Sequence, residues 1–258
     1  MTAKILNLPH LNRYGWKPDL PDVRDRMFQF LHVARLPASV DLRAFCPALY
    51  DQGQLGSCTA NALCGSLEVL ERIDGVKDCP MSRLFVYYNE RAMEHTIGQD
   101  SGAQIRDGIK TLVKQGACQE SLWPYDITKF TLKPPATAYS NGLNHQILSY
   151  ARIDSLLALR YCLAGGYPVV FGFTVYESFE SQKVALSGNV PMPQPGERVL
   201  GGHAVLAVGY DDTTNRVLVR NSWGASWGMG GYFWLPYNYV GNRALADDFW
   251  TIRKGENL

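Results

Sequence analysis

The chain has 258 residues, enough for one large domain or two small lobes around a substantial core. Hydrophobic residues make up 46% and charged residues 19%, the balance of an ordinary globule and not of a disordered chain. With 25 Lys and Arg against 24 Asp and Glu the formal charge is +1, so no strong field recruits nucleic acid or anionic lipid, and no apolar run reaches the roughly 20 residues of a membrane helix.

The first residues, Met1 to His10, lack the apolar core and small-residue cleavage site of a signal peptide. A cytoplasmic location is the default expectation, with export by another route or a trimmed signal left open. Residues 1–37 read as a segment apart, in which Arg13 to Asp22 mixes aromatics with prolines and resists regular structure. Arg24 to Leu31 has material for a short helix or strand. This arm either packs on the body or lies near a cleft as a gate.

Residues 38–145 carry the helical signals. Pro37 to Arg43 restarts the ordered chain, and Gln52-Gly53-Gln54-Leu55-Gly56-Ser57-Cys58 is a turn-rich approach to a helix. From Cys58 onward Ala60, Leu63, Leu67 and Leu70 form one apolar stripe, which ends near Asp74-Gly75. Cys58 thus falls at the positive end of a helix dipole, a setting that favours the nucleophilic thiolate. Taken alone, it reads as readily as a small core hydrophobe. Ser82 is a candidate N-cap for the next helix, and a third runs from Ile105 to Lys114, stopped by Gly116.

Residues 146–258 turn to strands. A short helix over Leu156 to Leu163 is followed by a strand within Pro168 to Val175 and a proline-rich loop from Ser187 to Glu197. His203 to Tyr210, Arg216 to Arg220 and Tyr232 to Leu235 are strand-like. The expectation is an α+β chain, helical lobe first and sheet lobe second.

A hairpin centred near Thr213 brings the start of one strand beside the end of the next. His203 sits at that start and Asn221 just past that end, so the two meet across 18 positions. A histidine beside a thiol serves as base and then as acid, and a carboxamide oxygen can hold its other ring N–H. Trp223 is placed to shield that bond from water. His10, His32, His95 and His145 have no comparable partner in the strand pattern.

Cysteines at 46, 58, 64, 79, 118 and 162 are too scattered for a disulfide scaffold. No Cys-x-x-Cys pair or close cysteine–histidine cluster has zinc-ligand spacing. Reduced thiols are expected, with one or two bridges left open, no metal and no cofactor.

Gln52 to Cys58, Gly202-His203-Ala204-Val205 and Asn221-Ser222-Trp223-Gly224 with Trp227-Gly228 and Gly231-Tyr232 resemble the papain family of cysteine peptidases, most of all its bacterial, xylellain-like branch. In that family the His and Asn follow the Cys by roughly 130–150 residues; here the intervals are 145 and 163. The resemblance implies a papain-like two-lobe fold, with a β-barrel-like second lobe and the active site in the cleft between. It implies Cys58 as nucleophile, His203 as acid–base, Asn221 as orienter and Gln52 as side-chain donor of an oxyanion hole. Gly102 and Ala103 fall where the family binds substrate backbone, Gly172 and Gly202 on the neighbouring wall, and Trp223 beside them. The substrate is then a peptide or protein and the chain a monomer, with no nucleic acid or membrane partner.

Departures from the pattern are Thr59 where an aromatic follows the nucleophile, Leu55 where a cysteine usually stands, and Gly202 before His203. They motivate the first of two alternatives to an endopeptidase working through a Cys thioester. One is an idle binding or scaffold protein; the other is acyl transfer from the same thioester.

Overall fold

In the computed structural model residues 14–29, 35–76 and 79–255 are described. The short strand β1 (Trp16–Lys17) and strand β2 (Ser39–Asp41) precede helix α1 (Cys58–Ile73), which starts at the expected cysteine. Every residue of α1 from Cys58 to Glu71 is buried, because the helix is wedged between helical neighbours and the sheet. Its helical neighbours are α2 (Arg83–Met93) and, after the two-residue strand β3 (Ala103–Gln104), α3 (Ile105–Lys114). Ser82 caps α2 as its spacing predicts, its hydroxyl accepting the Phe85 N–H at 3.1 Å. Gly116, at φ +67°, turns the chain out of α3 in the left-handed region that glycine adopts without strain.

Helix α4 (Ala136–Gly142) leads to strand β4 (Ser149–Arg152), helix α5 (Leu156–Ala164) and strand β5 (Val169–Tyr176). Then follow α6 (Gln182–Ser187), β6 (Val199–Asp211), β7 (Arg216–Arg220), β8 (Tyr232–Pro236), α7 (Tyr237–Val240) and β9 (Ala246–Arg253). The strands form one antiparallel sheet in the order β4-β9-β5-β6-β7-β8, with β2 added to β6. This is the α+β, two-lobe arrangement the sequence predicts. Five strands, β1, β2, β3, β4 and β9, go beyond the sequence expectation; β1 lies in the stretch expected to resist regular structure, and β9 carries Asp247 and Asp248 among its apolar residues, which blurs the alternation that marks a strand. Strand β6 begins at Val199, four residues before His203, because Gly201 and Gly202 pair with Val175 and Thr174 of β5.

The β6–β7 hairpin forms as expected, with one irregularity of consequence. Asp211 pairs with Arg216 and Gly209 with Leu218, but Ala207 pairs with Val219, so one residue bulges near Val208. In the register beyond the bulge Leu206 faces Arg220. Continued by one residue, this sets Asn221 opposite Val205, on the His203 face. Without the bulge Asn221 would lie opposite Leu206 and point the other way, since side chains alternate faces along a strand.

The described part of the N-terminal arm crosses the junction of the two lobes. β1 runs parallel to β3, Trp16 pairing with Ala103. Arg106 of α3 binds Asp25 at 2.9 Å and the Leu20 carbonyl, while Met27 bridges to Arg152 of β4. The Arg24–Leu31 stretch thus contributes a single strand-like bridge; its last two residues, Phe30 and Leu31, lie outside the described residues, as do residues 1–13.

Candidate active site

Two loops meet at the seam between the lobes. The loop before α1 and the loop after β7 are stitched by Gln52 N–H to the Ser222 carbonyl at 2.9 Å and Gly224 N–H to the Tyr50 carbonyl at 2.8 Å. From inside the helical lobe, the Tyr125 hydroxyl donates to the Gln52 carbonyl at 3.1 Å and lies 2.5 Å from Ser57 Oγ. Cys58, His203 and Gln52 have no exposed surface at all, and Asn221 is 2% exposed.

His203 Nε2 lies 2.9 Å from Asn221 Oδ1, and that oxygen also accepts the Ser222 N–H at 2.8 Å. A backbone N–H can only donate, so the atom it faces is the carboxamide oxygen, and the ring nitrogen sharing that oxygen carries hydrogen. The other nitrogen, Nδ1, is therefore the basic one. It is buried and makes no hydrogen bond among the described residues. Trp223 stacks on the imidazole, centroids 4.9 Å apart and planes at 29°, which covers the His203–Asn221 pair as expected.

The Cys58 sulfur accepts the N–H of Ala204, the residue after His203, at 3.4 Å. Cys58 and the strand that carries His203 thus meet across 146 positions of chain. The thiolate expected from the helix terminus is not favoured in this state. Burial pushes the Cys58 thiol up to about 11, against the backbone groups of Ala204, Gly15 and Thr59 that pull it down. Burial likewise holds His203 down to about 4, with the Asn221 bond opposing.

Gln52 is held at both ends of its amide. Ser222 Oγ donates to Oε1 at 2.6 Å, and Nε2 donates to the Leu55 carbonyl at 2.9 Å. Ser222 was not singled out in the sequence, although it sits between Asn221 and Trp223. A serine beside a strand end reads as an ordinary turn residue until its partner, 170 positions away, is known.

The arm fills the space beside these groups. Ala103 donates its N–H to the Gly15 carbonyl at 2.8 Å, and a Cβ on Gly102 would stand 2.0 Å from that same oxygen. The Trp16 indole lies on Gly172 and Gly202, where a Cβ would come within 2.0 and 2.8 Å of its ring. Tyr14 packs edge-on to His203 at 6.3 Å and hydrogen-bonds Glu180. Residues Gly102, Ala103, Gly172 and Gly202 therefore line one groove, and residues 14–16 occupy it. Tyr14 and Trp16 were not assigned to the site from sequence, because nothing local links an arm to a groove built some 90 to 190 positions later.

All six cysteines are free, so neither of the bridges left open forms. Thr59, in place of an aromatic, donates to Glu90 Oε1 at 2.5 Å inside the helical lobe. Burial raises the Glu90 carboxyl well above the usual range. Among the described residues no helix is long and apolar enough to cross a membrane.

A family model described as "Papain family cysteine protease" matches residues 36–249. The crystal structure of xylellain, a cysteine protease from Xylella fastidiosa, is 42% identical, with a TM-score of 0.88 over 95% of this chain and 97% of that one. An uncharacterized peptidase C1-like protein of Acanthamoeba polyphaga mimivirus is 43% identical over 91% of this chain and 76% of its own length. Mouse pro-cathepsin H is 27% identical over 76% of this chain, which spans 59% of that longer protein. The chain belongs to the papain family of cysteine proteases and is a cysteine peptidase.

Proposed function

We propose that the chain is an endopeptidase that cleaves extended peptide segments through a thioester on Cys58, and that its N-terminal arm, residues 1–37, gates the cleft between a helical lobe at 38–145 and a sheet lobe at 146–258. The observation that carries the reading is the hydrogen-bonded His203–Asn221 pair with the Cys58 sulfur held at the N–H of Ala204.

The chemistry follows from the tautomer. With Nε2–H committed to Asn221, Nδ1 takes the Cys58 proton, and the thiolate attacks the substrate carbonyl. The oxyanion is met by the Gln52 amide, held by Ser222, and by the Cys58 backbone N–H. The imidazolium passes its proton to the leaving amine, and the acyl group stays on sulfur. Water that loses a proton to His203 then releases it. Trp223 lends the His203–Asn221 bond a low dielectric throughout.

The gate follows from burial. Burial drives both ionisable partners to their neutral forms while residues 14–16 sit in the groove, although the Gly15 backbone itself pulls the Cys58 thiol down. Withdrawing the arm lets water and substrate in and permits the thiolate–imidazolium pair. The arm pairs its backbone with Ala103 and seats Trp16 against Gly172 and Gly202. This supports those residues as a binding groove for substrate backbone and one apolar side chain.

The test is peptide-library cleavage and labelling by a thiol-reactive peptide analogue, on the intact chain, a chain lacking residues 1–37, Cys58→Ala and His203→Ala. The reading expects internal cleavage lost in Cys58→Ala, labelling at Cys58 that His203→Ala suppresses, and faster labelling without the arm. Cleavage that persists in Cys58→Ala would overturn it. Products bearing an amine in place of water would indicate acyl transfer instead.

A further inference from the structure

We propose that Glu71, Cys79 and His145 form a binding site for a zinc-type divalent cation, on the helical lobe and separate from the cleft. Glu71 lies in the last turn of α1, Cys79 in the segment that follows it, and His145 at the end of the 3-10 turn Leu143–His145. Their ligand atoms fall within 4.8 Å of one another. His145 Nδ1 is 2.9 Å from Glu71 Oε1, and Cys79 Sγ is 4.0 Å from His145 Nε2. The Glu71 side chain is 2% exposed and that of His145 14%, so the cluster is a built, half-sheltered site and not a chance surface group.

Two further observations point to a cation. Glu71 Oε2 is buried and has no hydrogen-bond partner among the described residues, an expensive arrangement for a carboxylate oxygen unless a positive charge completes it. Its other oxygen already holds the Lys254 ammonium at 3.0 Å, which shows that the carboxylate draws positive charge. Lys254 is 26% exposed and can turn outward to solvent. Gln119 Nε2 donates to the Cys79 sulfur at 3.5 Å, a second contact that fixes the thiol in place.

The donor set selects the metal. Thiolate, imidazole and carboxylate together suit Zn2+, whereas Mg2+ and Ca2+ take oxygen ligands. His145 gives a cation one ring nitrogen, and since Nδ1 faces Glu71 while Nε2 faces Cys79, binding turns the ring to present one nitrogen to both; tetrahedral zinc then holds sulfur and nitrogen about 3.5 Å apart. Binding replaces the Cys79 S–H bond with a sulfur–metal bond and releases one proton to solvent. Three protein ligands leave a fourth position for water. The cation would clasp the end of α1 to the 143–145 turn, so its effect is on stability. The ligands stand at 71, 79 and 145, far from the close cysteine and histidine spacings that mark zinc sites in sequence, which is why the sequence reading expects no metal.

The experiment is Zn2+ titration against a chromophoric chelator, and Co2+ absorption, on the full chain carrying Cys58→Ala so that the cleft sulfur does not compete. The expected result is one equivalent bound, a thiolate-to-cobalt charge-transfer band and a raised Tm. Cys79→Ser and His145→Ala, in the same background, should each weaken binding by about tenfold or more and remove the Tm rise. Each variant's metal-free Tm and circular dichroism identify any that fails to fold, and the other then decides. Absence of stoichiometric binding, or binding that both substitutions leave unchanged, would overturn the site.

Discussion

The indole of Trp16 rests directly on the backbone of Gly172: a single added carbon at that glycine would stand 2.0 Å from the ring. A glycine facing a large aromatic from an arm 156 positions earlier means that the groove has the depth for a bulky apolar side chain. The arm supplies one. Trp16 is also tied at its far edge, Nε1 donating to Asp248 Oδ2 at 3.1 Å.

Trp16→Ala should therefore loosen the arm without touching a group that does chemistry. The variant is expected to raise the rate of Cys58 labelling by roughly tenfold, since a half-buried aromatic with one hydrogen bond contributes on the order of 1–3 kcal/mol. Rates measured beside the parent and the chain lacking residues 1–37 check this. A rate equal to the parent's would mean that Trp16 does not hold the gate.

The acid limb has a definite sign. With the arm in place burial holds His203 down to about 4, against an ordinary value of 6.5. Docking favours the neutral ring, so the stabilisation it contributes is complete above the ordinary value and is lost as pH falls toward 4. Asp19 acts oppositely. Burial and then the neighbouring Asp248 charge push it up to about 7, so docking gains as Asp19 protonates below that pH. Arm opening, followed by limited proteolysis between pH 7 and 4, should have a component that vanishes in His203→Ala while the Asp19 response stays. Identical profiles in parent and variant would exclude imidazole coupling.

Gln52 and Ser222 should separate in magnitude. Gln52→Ala removes the proposed oxyanion donor and is expected to lower kcat about 10²–10³-fold. Ser222→Ala leaves the donor but frees its Oε1 end, a loss of one hydrogen bond, and should cost about tenfold or less in kcat. Steady-state kinetics on one peptide substrate distinguish the two, and equal losses would argue that Ser222 acts by itself.

Asn221→Ala removes the acceptor that fixes the Nε2–H tautomer. A fall in kcat on the order of 10² or more is expected, with KM little changed, because ring orientation matters most in the transition state. The alanine variant also leaves a buried ring N–H unpaired, so a Tm decrease is expected alongside. A rise in KM at constant kcat would place Asn221 in substrate binding instead.

The asp-lined clamp gives a last check. Asp248 accepts Trp16 Nε1–H, the Asp19 N–H at 2.7 Å and Arg152 at 2.8 Å. Asp248→Ala should release the arm and remove one partner of Arg152, which keeps Asp247, Asp25 and Asp19, lowering Tm by a few degrees while accelerating labelling. Slower labelling would contradict the clamp.

Local chemistry settled much of this protein before any coordinates. The stripe from Ala60 to Leu70, the serine at 82, the glycine at 116 and the Val-Leu-Val run within Arg216 to Arg220 each act through neighbours a few residues away, so α1, α2, α3 and β7 were legible as sequence. The order of Cys58, His203 and Asn221 was legible too, as was Gln52. Tertiary structure alone decided what depends on distant segments coming together. The bulge near Val208 turns Asn221 onto the His203 face; Gly209 beside it marks either a bulge or a close backbone approach, and only the assembled sheet shows the register it produces. The burial that leaves Cys58 and His203 neutral comes from packing around the seam, where Gly15, Tyr14 and Trp16 also lie, not from the helix terminus that favours a thiolate. The same holds for the joining of Glu71, Cys79 and His145: burial and long-range pairing are properties of the assembled chain, which spacing along it does not encode.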